Sequence, residues 1–262
     1  MQNPKIIIIT GASSGIGAAL ALYYAGAGIA LGLTGRDAAR LGAVANACQR
    51  KGASVEARVI SVTDRARMAE WIAAFHARHG QLDLVIANAG ISGGTGGAPT
   101  VGEDPDQVRN LFATNVDGVL NTVEPVLPIM AAQKVGQIAI MSSLASFGPW
   151  PGAPAYGATK AAVRLYGEAL AGSVRNKGIE VSVICPGFVR SNMTAVNDYP
   201  MPFLMDADRA AARIAAGLAA GRVRVAFPWP AYLIAGALGL LPPGLSTRFL
   251  AKLPKKPQSQ QS

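Results

Sequence analysis

Cysteine is nearly absent from this sequence. Cys48 and Cys185 are the only two, and they form no C-x-x-C pair. That excludes a disulfide framework and a thiolate metal cluster, and leaves two reduced, partly buried thiols of a cytosolic protein. Histidine is as scarce. His76 and His79 stand at i,i+3 with no cluster of carboxylates or cysteines around them, so they are read as surface residues and no metal is expected. No apolar run reaches the roughly eighteen residues of a spanning helix. The chain enters a strand at once, without the pattern of a signal peptide, and a cytoplasmic protein is the expectation. Acid is missing from one stretch. Every Asp and Glu lies before residue 209, whereas Arg209, Arg213, Arg222, Arg224, Arg248, Lys252, Lys255 and Lys256 lie from there on. The net charge of +9 therefore comes from that stretch, and the rest of the chain is about neutral. Basic charge so localised, beside apolar sequence and without a groove of aromatics, argues against a nucleic-acid partner.

What is present suits one large α/β domain: 50% of the residues are apolar and only 15% charged. Short apolar runs at 5–9, 29–34, 54–60, 83–87, 137–141, 180–185 and 222–227 read as strands. Between them lie helical stretches at 18–26, 38–51, 65–79 behind Asp64 as N-cap, 106–134 bent at Pro125 and Pro128, 155–176 closed by Gly178, and 207–220. Strict alternation predicts a single-domain, Rossmann-like, doubly wound parallel sheet over residues 1–227. An apolar and basic segment at 228–253 and a disordered tail at 254–262 complete the chain. The loop 91–105 and the Met- and Pro-rich stretch 192–205, expected to be a mobile lid, would rim the site. Met193, Met201, Phe203, Leu204 and Met205 would give it an apolar, adaptable wall.

Three stretches carry chemistry. The first, Thr10-Gly-Ala-Ser-Ser-Gly-Ile-Gly17, joins a strand to a helix. Gly11 permits the tight turn, Gly15 lets a diphosphate approach the backbone, and Gly17 lets the helix pack on the strand, whose partner helix aims its N-terminus at the diphosphate. The second is Gly35-Arg36-Asp37 at the end of the second strand, where a dinucleotide fold meets the adenosine ribose. An acid there would bond a 2′-hydroxyl. Gly35 leaves space and Arg36 offers a planar cation, which suits a 2′-phosphate; the other reading is a solvent-facing Arg36 paired with Asp37. The third runs from Ser142-Ser143 to Tyr156-Gly-Ala-Thr-Lys160. Tyr156 and Lys160 lie one helical turn apart on one face. An ammonium beside a phenol favours the phenolate, and Ser143 could hold a substrate oxygen against it, as carbonyl reduction requires. Asn115, inside a helix, is read either as a surface residue or as a group that holds a water or a backbone carbonyl near Lys160.

Taken together, in this order, the motifs resemble the short-chain dehydrogenase/reductase family over roughly residues 5–227. Thr10 to Gly17 resembles its cofactor glycine motif, Asn88-Ala-Gly90 its fourth-strand motif, and Ser143, Tyr156 and Lys160 its catalytic serine and Y-x-x-x-K, with Asn115 at the place of its helix asparagine. The Pro186-Gly187 turn and Ser191 resemble its P-G turn and the hydroxyl residue beside the nicotinamide. Ala87 departs from the first Asn of N-N-A-G. Ser61 departs from the Asp that often contacts adenine, which puts that contact in doubt. The resemblance implies strand order 3-2-1-4-5-6-7 and hydride transfer between a nicotinamide and a carbonyl or alcohol carbon. Tyr156 would give or take the proton, Lys160 would lower its pKa and bond the nicotinamide ribose, Ser143 would orient the substrate oxygen, and Asn115 would maintain a water path to Lys160. NADP (NADPH) would be held by Gly11, Ser13, Ser14, Gly15, Ile16, Gly17, Arg36, Val62, Asn88, Ala89, Gly90, Tyr156, Lys160, Pro186, Gly187, Val189 and Ser191. A homo-oligomer, dimer or tetramer, is implied, packed through the helices that hold Asn115 and Tyr156.

The expected activity is an NADP-dependent carbonyl reductase or alcohol dehydrogenase with a small apolar substrate. A reductase of 3-keto lipids or steroid-like ketones is the nearest variant, and a catalytically idle nucleotide sensor the alternative outside enzymes. The segment Trp229-Pro-Ala-Tyr-Leu-Ile-Ala-Gly-Ala-Leu-Gly-Leu-Leu241 is too short to span a bilayer. Two readings stay open for it: packing over the pocket or against a second subunit, or a peripheral membrane contact through 228–256, with Trp229 and Tyr232 at the headgroups and the basic residues on anionic lipid.

Overall fold

The computed structural model describes residues 3–96, 102–251 and 255–257. Seven parallel strands form one sheet in the order β3-β2-β1-β4-β5-β6-β7, as the resemblance implies. They are β1 (Ile6–Thr10), β2 (Ala30–Gly35), β3 (Ser54–Val59), β4 (Leu84–Ala87), β5 (Gly136–Met141), β6 (Ile179–Pro186) and β7 (Arg224–Phe227). Strand order reverses between β1 and β4, where the sheet splays at its carboxyl edge and a ligand crevice forms.

The isoleucines of β1 show why the sheet is covered on both sides. Ile7 and Ile9 point into a cluster with Leu20, Leu33, Ile86, Ile214 and Leu218. Ile8, one residue out of phase, points to the other face, among Met68, Phe75, Val119 and Val163. All three are fully buried. Side chains alternate along a strand, so a run without polar positions demands an apolar layer on each face. Each such isoleucine contributes roughly 1.5–3 kcal/mol by leaving water. The first layer is α1 (Gly15–Tyr24), α2 (Ala38–Arg50) and α9 (Ala207–Ala219); the second is α3 (Arg65–His79), α5 (Gly118–Val123), α6 (Val126–Gln133) and α7 (Pro154–Val174). Asp37 and Asp64 cap α2 and α3 by accepting from Arg40 N and Arg67 N. Cys48 and Cys185 are both free and wholly buried, deeper than the composition suggests.

Three elements differ from the sequence expectation. α1 begins at Gly15, three residues earlier than its apolar periodicity indicates, because two glycines in its first turn weaken the helical signal. The expected helix over 106–134 is interrupted. α4 (Pro105–Phe112) runs into a wide π-turn, Ala113–Asp117, before α5 and α6. Such turns insert a residue and change which side chain faces inward. The stretch 192–205 is not irregular throughout. Thr194 and Ser191 cap one another at α8 (Asn192–Ala195), and Val189 bridges Met205, which is buried.

After β7 the chain forms α10 (Trp229–Leu240) and α11 (Pro243–Leu250). Ala235 packs with Leu144, Val183 and Cys185, and Tyr232 meets Phe147 edge-on at 5.3 Å. Of the expected disordered tail, residues 254 and 258–262 lie outside the described residues. Residues 255–257 are placed, against the loop after β4.

Candidate active site

A cavity of about 860 Å³ opens along the carboxyl edge of the sheet. The turn between β1 and α1 forms one end of it. Gly11 has φ +66, and a Cβ there would come within 2.7 Å of Ala89 Cα. Only glycine adopts that conformation without strain and also admits the neighbouring strand end. A Cβ on Gly17 would overlap the Gly11 carbonyl oxygen, so Gly17 serves packing and does not itself line the cavity. Asn88 ties the turn to β4, donating from Nδ2 to the carbonyls of Thr10 (2.9 Å) and Gly11 (3.2 Å). Ser13, Ser14, Gly15 and Ile16 line the cavity beside the N-terminus of α1. Open backbone and a helix N-terminus with no acid in its first turn fit a diphosphate.

At the end formed by β2, a Cβ on Gly35 would crowd Ser13 Oγ at 3.0 Å, so Gly35 serves the close approach of the glycine turn and does not open spare room. Arg36 is exposed and lines the cavity. The alternative pairing with Asp37 is not formed. Asp37 accepts from Arg40 N and from Arg40 Nε (2.7 Å), and these bonds hold its carboxyl below the usual range. Arg40 also lines this end, a second cation that the sequence reading missed, although it stands one helical turn beyond Arg36. Val62 is in the wall, and the Ser61 hydroxyl is bonded to Thr63 Oγ1 at 2.8 Å.

The opposite end is assembled from β5 and α7. Ser142 Oγ donates to Lys160 O (2.8 Å) and Lys160 Nζ donates to Met141 O (3.0 Å), which locks the helix start to the strand end. Ser143, first residue of the next turn, lines the cavity with Tyr156, and its Oγ accepts from Ala145 N (3.1 Å). Lys160 Nζ is 5.9 Å from the centroid of the Tyr156 ring. Burial pushes the Tyr156 phenol up; the nearby Ser143 hydroxyl opposes this, and Tyr199 adds to the rise. Burial also pushes Lys160 down to about 8, against a smaller upward effect of Cys185. The phenol thus lies above its ordinary value, and the lowering expected of Lys160 does not appear: the one opposing influence on Tyr156 is Ser143.

Asn115, read as surface or as an internal clamp, is wholly buried at the π-turn. Its Oδ1 accepts from Ile91 N (2.8 Å), and its Nδ2 donates to Ile91 O (3.0 Å) and Thr159 Oγ1 (3.1 Å). It thus clamps a backbone carbonyl, and does not line the cavity. It does approach Lys160: a Cβ on Gly90 would meet Asn115 Oδ1 at 3.1 Å and Lys160 Nζ at 3.2 Å. Ala89, Gly90, Pro186, Gly187, Val189 and Ser191 complete the wall, and Ser191 Cβ would be 3.1 Å from a Cβ on Gly15. Together with Ser143, Tyr156 and Lys160, every residue that the resemblance assigned to the site faces the cavity except Gly17 and Asn115, which support it.

The substrate end contains residues that no motif announced: Trp150, Phe188, Tyr199, Ala231, Leu238 and Lys256. Their signal is spatial only. Arg224 does not face outward, as its place in the basic stretch suggested. Its guanidinium bonds Glu168 (2.6 Å) and Tyr232 Oη (3.1 Å), because β7 sets it beside α7, which carries the acid that its own stretch lacks. Tyr232 is thereby turned inward as well. Among the described residues no group of three or more His, Cys, Asp or Glu could hold a metal.

A family model described as short chain dehydrogenase matches residues 5–200. An uncharacterized oxidoreductase of Myxococcus xanthus is 40% identical over 225 residues, 86% of this chain and 88% of that one. A short-chain dehydrogenase of Sphingobium yanoikuyae, solved with NADPH, is 26% identical with a TM-score of 0.77, covering 98% of both chains. One of Burkholderia phymatum, solved with NAD, shares the fold at 24% identity and a TM-score of 0.81, again over 98% of both.

Proposed function

Because this chain belongs to the short-chain dehydrogenase/reductase family and is an oxidoreductase, we propose that it interconverts a ketone or aldehyde and the corresponding alcohol, with NADPH as the preferred cofactor. The observation that carries this is the convergence of Ser143, Tyr156 and buried Lys160 on one end of a cavity whose other end is the glycine turn. An idle sensor would not need those three groups together.

The cofactor supplies or accepts the hydride. The glycine turn and the N-terminus of α1 would bind its diphosphate, and Arg36 and Arg40 its 2′-phosphate. In reduction, Ser143 and Tyr156 bond the carbonyl oxygen, which polarises the carbon that receives the hydride. The Tyr156 hydroxyl then gives its proton to that oxygen, and the cation of Lys160 stabilises the phenolate left behind. Asn115 acts indirectly. By fixing the backbone at Ile91 it sets Gly90 against Lys160 Nζ. The reverse reaction uses the same groups with Tyr156 as base. The test is oxidation of NADPH by the full chain with a panel of apolar ketones and diketones. Cofactor binding without turnover of any of them would favour the sensor.

A homo-oligomer packed through α4 and α7 is part of this proposal. Phe112 and Leu165, on those helices, are 42% and 58% exposed, as a subunit face requires. The C-terminal segment serves the pocket through Ala231, Ile234, Ala235, Leu238 and Leu250. Its outer side supports a second, narrower proposal, peripheral contact with anionic lipid. Trp229, Leu240 and Phe249 are exposed there, with Arg222, Arg248 and Lys255 still outward. No helix among the described residues is long and apolar enough to cross a membrane.

A further inference from the structure

The reaction just described leaves one cation in the cavity without work. Lys256 sits on the short C-terminal piece that returns over the loop after β4. Gly96 N donates to Lys256 O (2.8 Å), and Gly96 pairs with Pro257 as a parallel bridge. A Cβ on Gly94 would lie 2.7 Å from Lys256 Cβ, and one on Gly96 2.8 Å from Lys256 O, so the glycines let the two backbones lie this close.

The side chain lines the cavity, and its Nζ is 5.6 Å from the centroid of the Tyr156 ring. Lys160 Nζ is bonded to Met141 O, Arg164 and Arg224 share Glu168, and Arg190 pairs with Asp206. Lys256 has no such partner among the described residues, and burial pushes it down to about 8. The same cavity is lined by the apolar Phe203, Ile234, Leu238 and Leu250. The Trp150 indole nitrogen, on the same cavity, is buried with no acceptor. A cation drawn out of water into such a place is costly unless an anion joins it.

We propose that Lys256 is a specificity residue: it receives the carboxylate of a substrate that is otherwise apolar, and so places the substrate carbonyl at Tyr156. Among the described residues Lys256 is the unpaired cation at the Tyr156 end of the cavity, and one cation there matches a singly charged group. The substrate class is therefore a keto acid, or hydroxy acid in the reverse direction, with an apolar body between the two ends. This rests on the carbonyl-reduction reading above.

The test uses the full chain with saturating NADPH and matched pairs of an aliphatic keto acid and its methyl ester. The unmodified protein is expected to favour the acid in kcat/KM by about ten- to a hundredfold, the range of one charge-assisted hydrogen bond, chiefly through KM. Lys256→Met should bring the ratio near one, and Lys256→Glu should invert it, which misfolding cannot do. In parallel, calorimetry compares a non-reactive alkanoate with its amide on the cofactor-bound protein. Turnover with no preference for the acid, or a preference that survives Lys256→Met, overturns the role of Lys256 and leaves the reaction standing. Alkanoate binding that requires Lys256, without turnover of any ketone, supports the anion site and overturns the reaction.

Discussion

Replacing Arg36 by Asp should convert an NADPH-preferring enzyme into one that prefers NADH. Arg36 follows β2 directly, is exposed, and is not held by Asp37, which is committed to Arg40. Its guanidinium is therefore available to a 2′-phosphate. Two unit charges 4 Å apart in water attract by about 1 kcal/mol, so a nearly doubly charged phosphate attracts by about 2 kcal/mol. That agrees with the ~1.5–3 kcal/mol of a hydrogen bond to a charged group, and predicts an NADPH preference of about ten- to a hundredfold. Arg36→Asp replaces the attraction by a repulsion of similar size and offers a carboxylate to the 2′-hydroxyl of NADH. The ratio should swing by about a hundredfold or more. Arg40→Ala should cost less, since Arg40 already shares its charge with Asp37 across an exposed ion pair. The assay is kcat/KM for both cofactors against one ketone at two ionic strengths. Because the contact is exposed, added salt should shrink the preference. Equal values in the unmodified enzyme, or an unchanged preference in Arg36→Asp, would refute the assignment.

Tyr156→Phe removes only the phenolic hydroxyl, so cofactor affinity should persist while kcat falls by at least about a hundredfold; stopped-flow binding beside steady-state rates separates the two, and near-normal turnover refutes the role. The pH dependence of ketone reduction should follow Lys160. Held down to about 8, it loses its charge as pH rises through that value, while Tyr156, pushed up, keeps its proton. kcat should therefore be level below about pH 8 and decline above it, and an increase over that range contradicts the proposed roles. For the outer face of α10 and α11, the full chain should co-sediment with anionic but not neutral liposomes at low salt, and Phe249→Glu should weaken this; a chain that stays in the supernatant with both rules the lipid contact out.

The apolar alternation of strands and helices was enough to place all seven strands within about two residues. A buried parallel strand needs a continuous apolar run, and a covering helix needs a 3.6-residue stripe. The glycine turn and the pair Tyr156 and Lys160 were legible for the same local reason. Their geometry is set by one turn and one helix, and neighbours in sequence are neighbours in space. Elsewhere that rule fails. Gly17 and Asn115 carry motif signals, yet only packing shows that they support the cavity from outside it, one against Gly11 and one against Ile91. Arg224 belongs by sequence to an acid-free basic stretch, but β7 lies beside α7 and Glu168 neutralises it. Lys256 has the same sequence surroundings and the opposite fate. The chain returns across Gly94 and Gly96 and leaves it in the cavity without an acid. Charge partners are chosen across the fold, at contact distance and in low dielectric, so no window along the chain could distinguish these two cations. The sequence by itself determined the sheet, the glycine turn and the one-turn spacing of Tyr156 and Lys160. The tertiary structure decided which cations are paired, as Arg224 is, and which face the cavity without an acid, as Lys256 does.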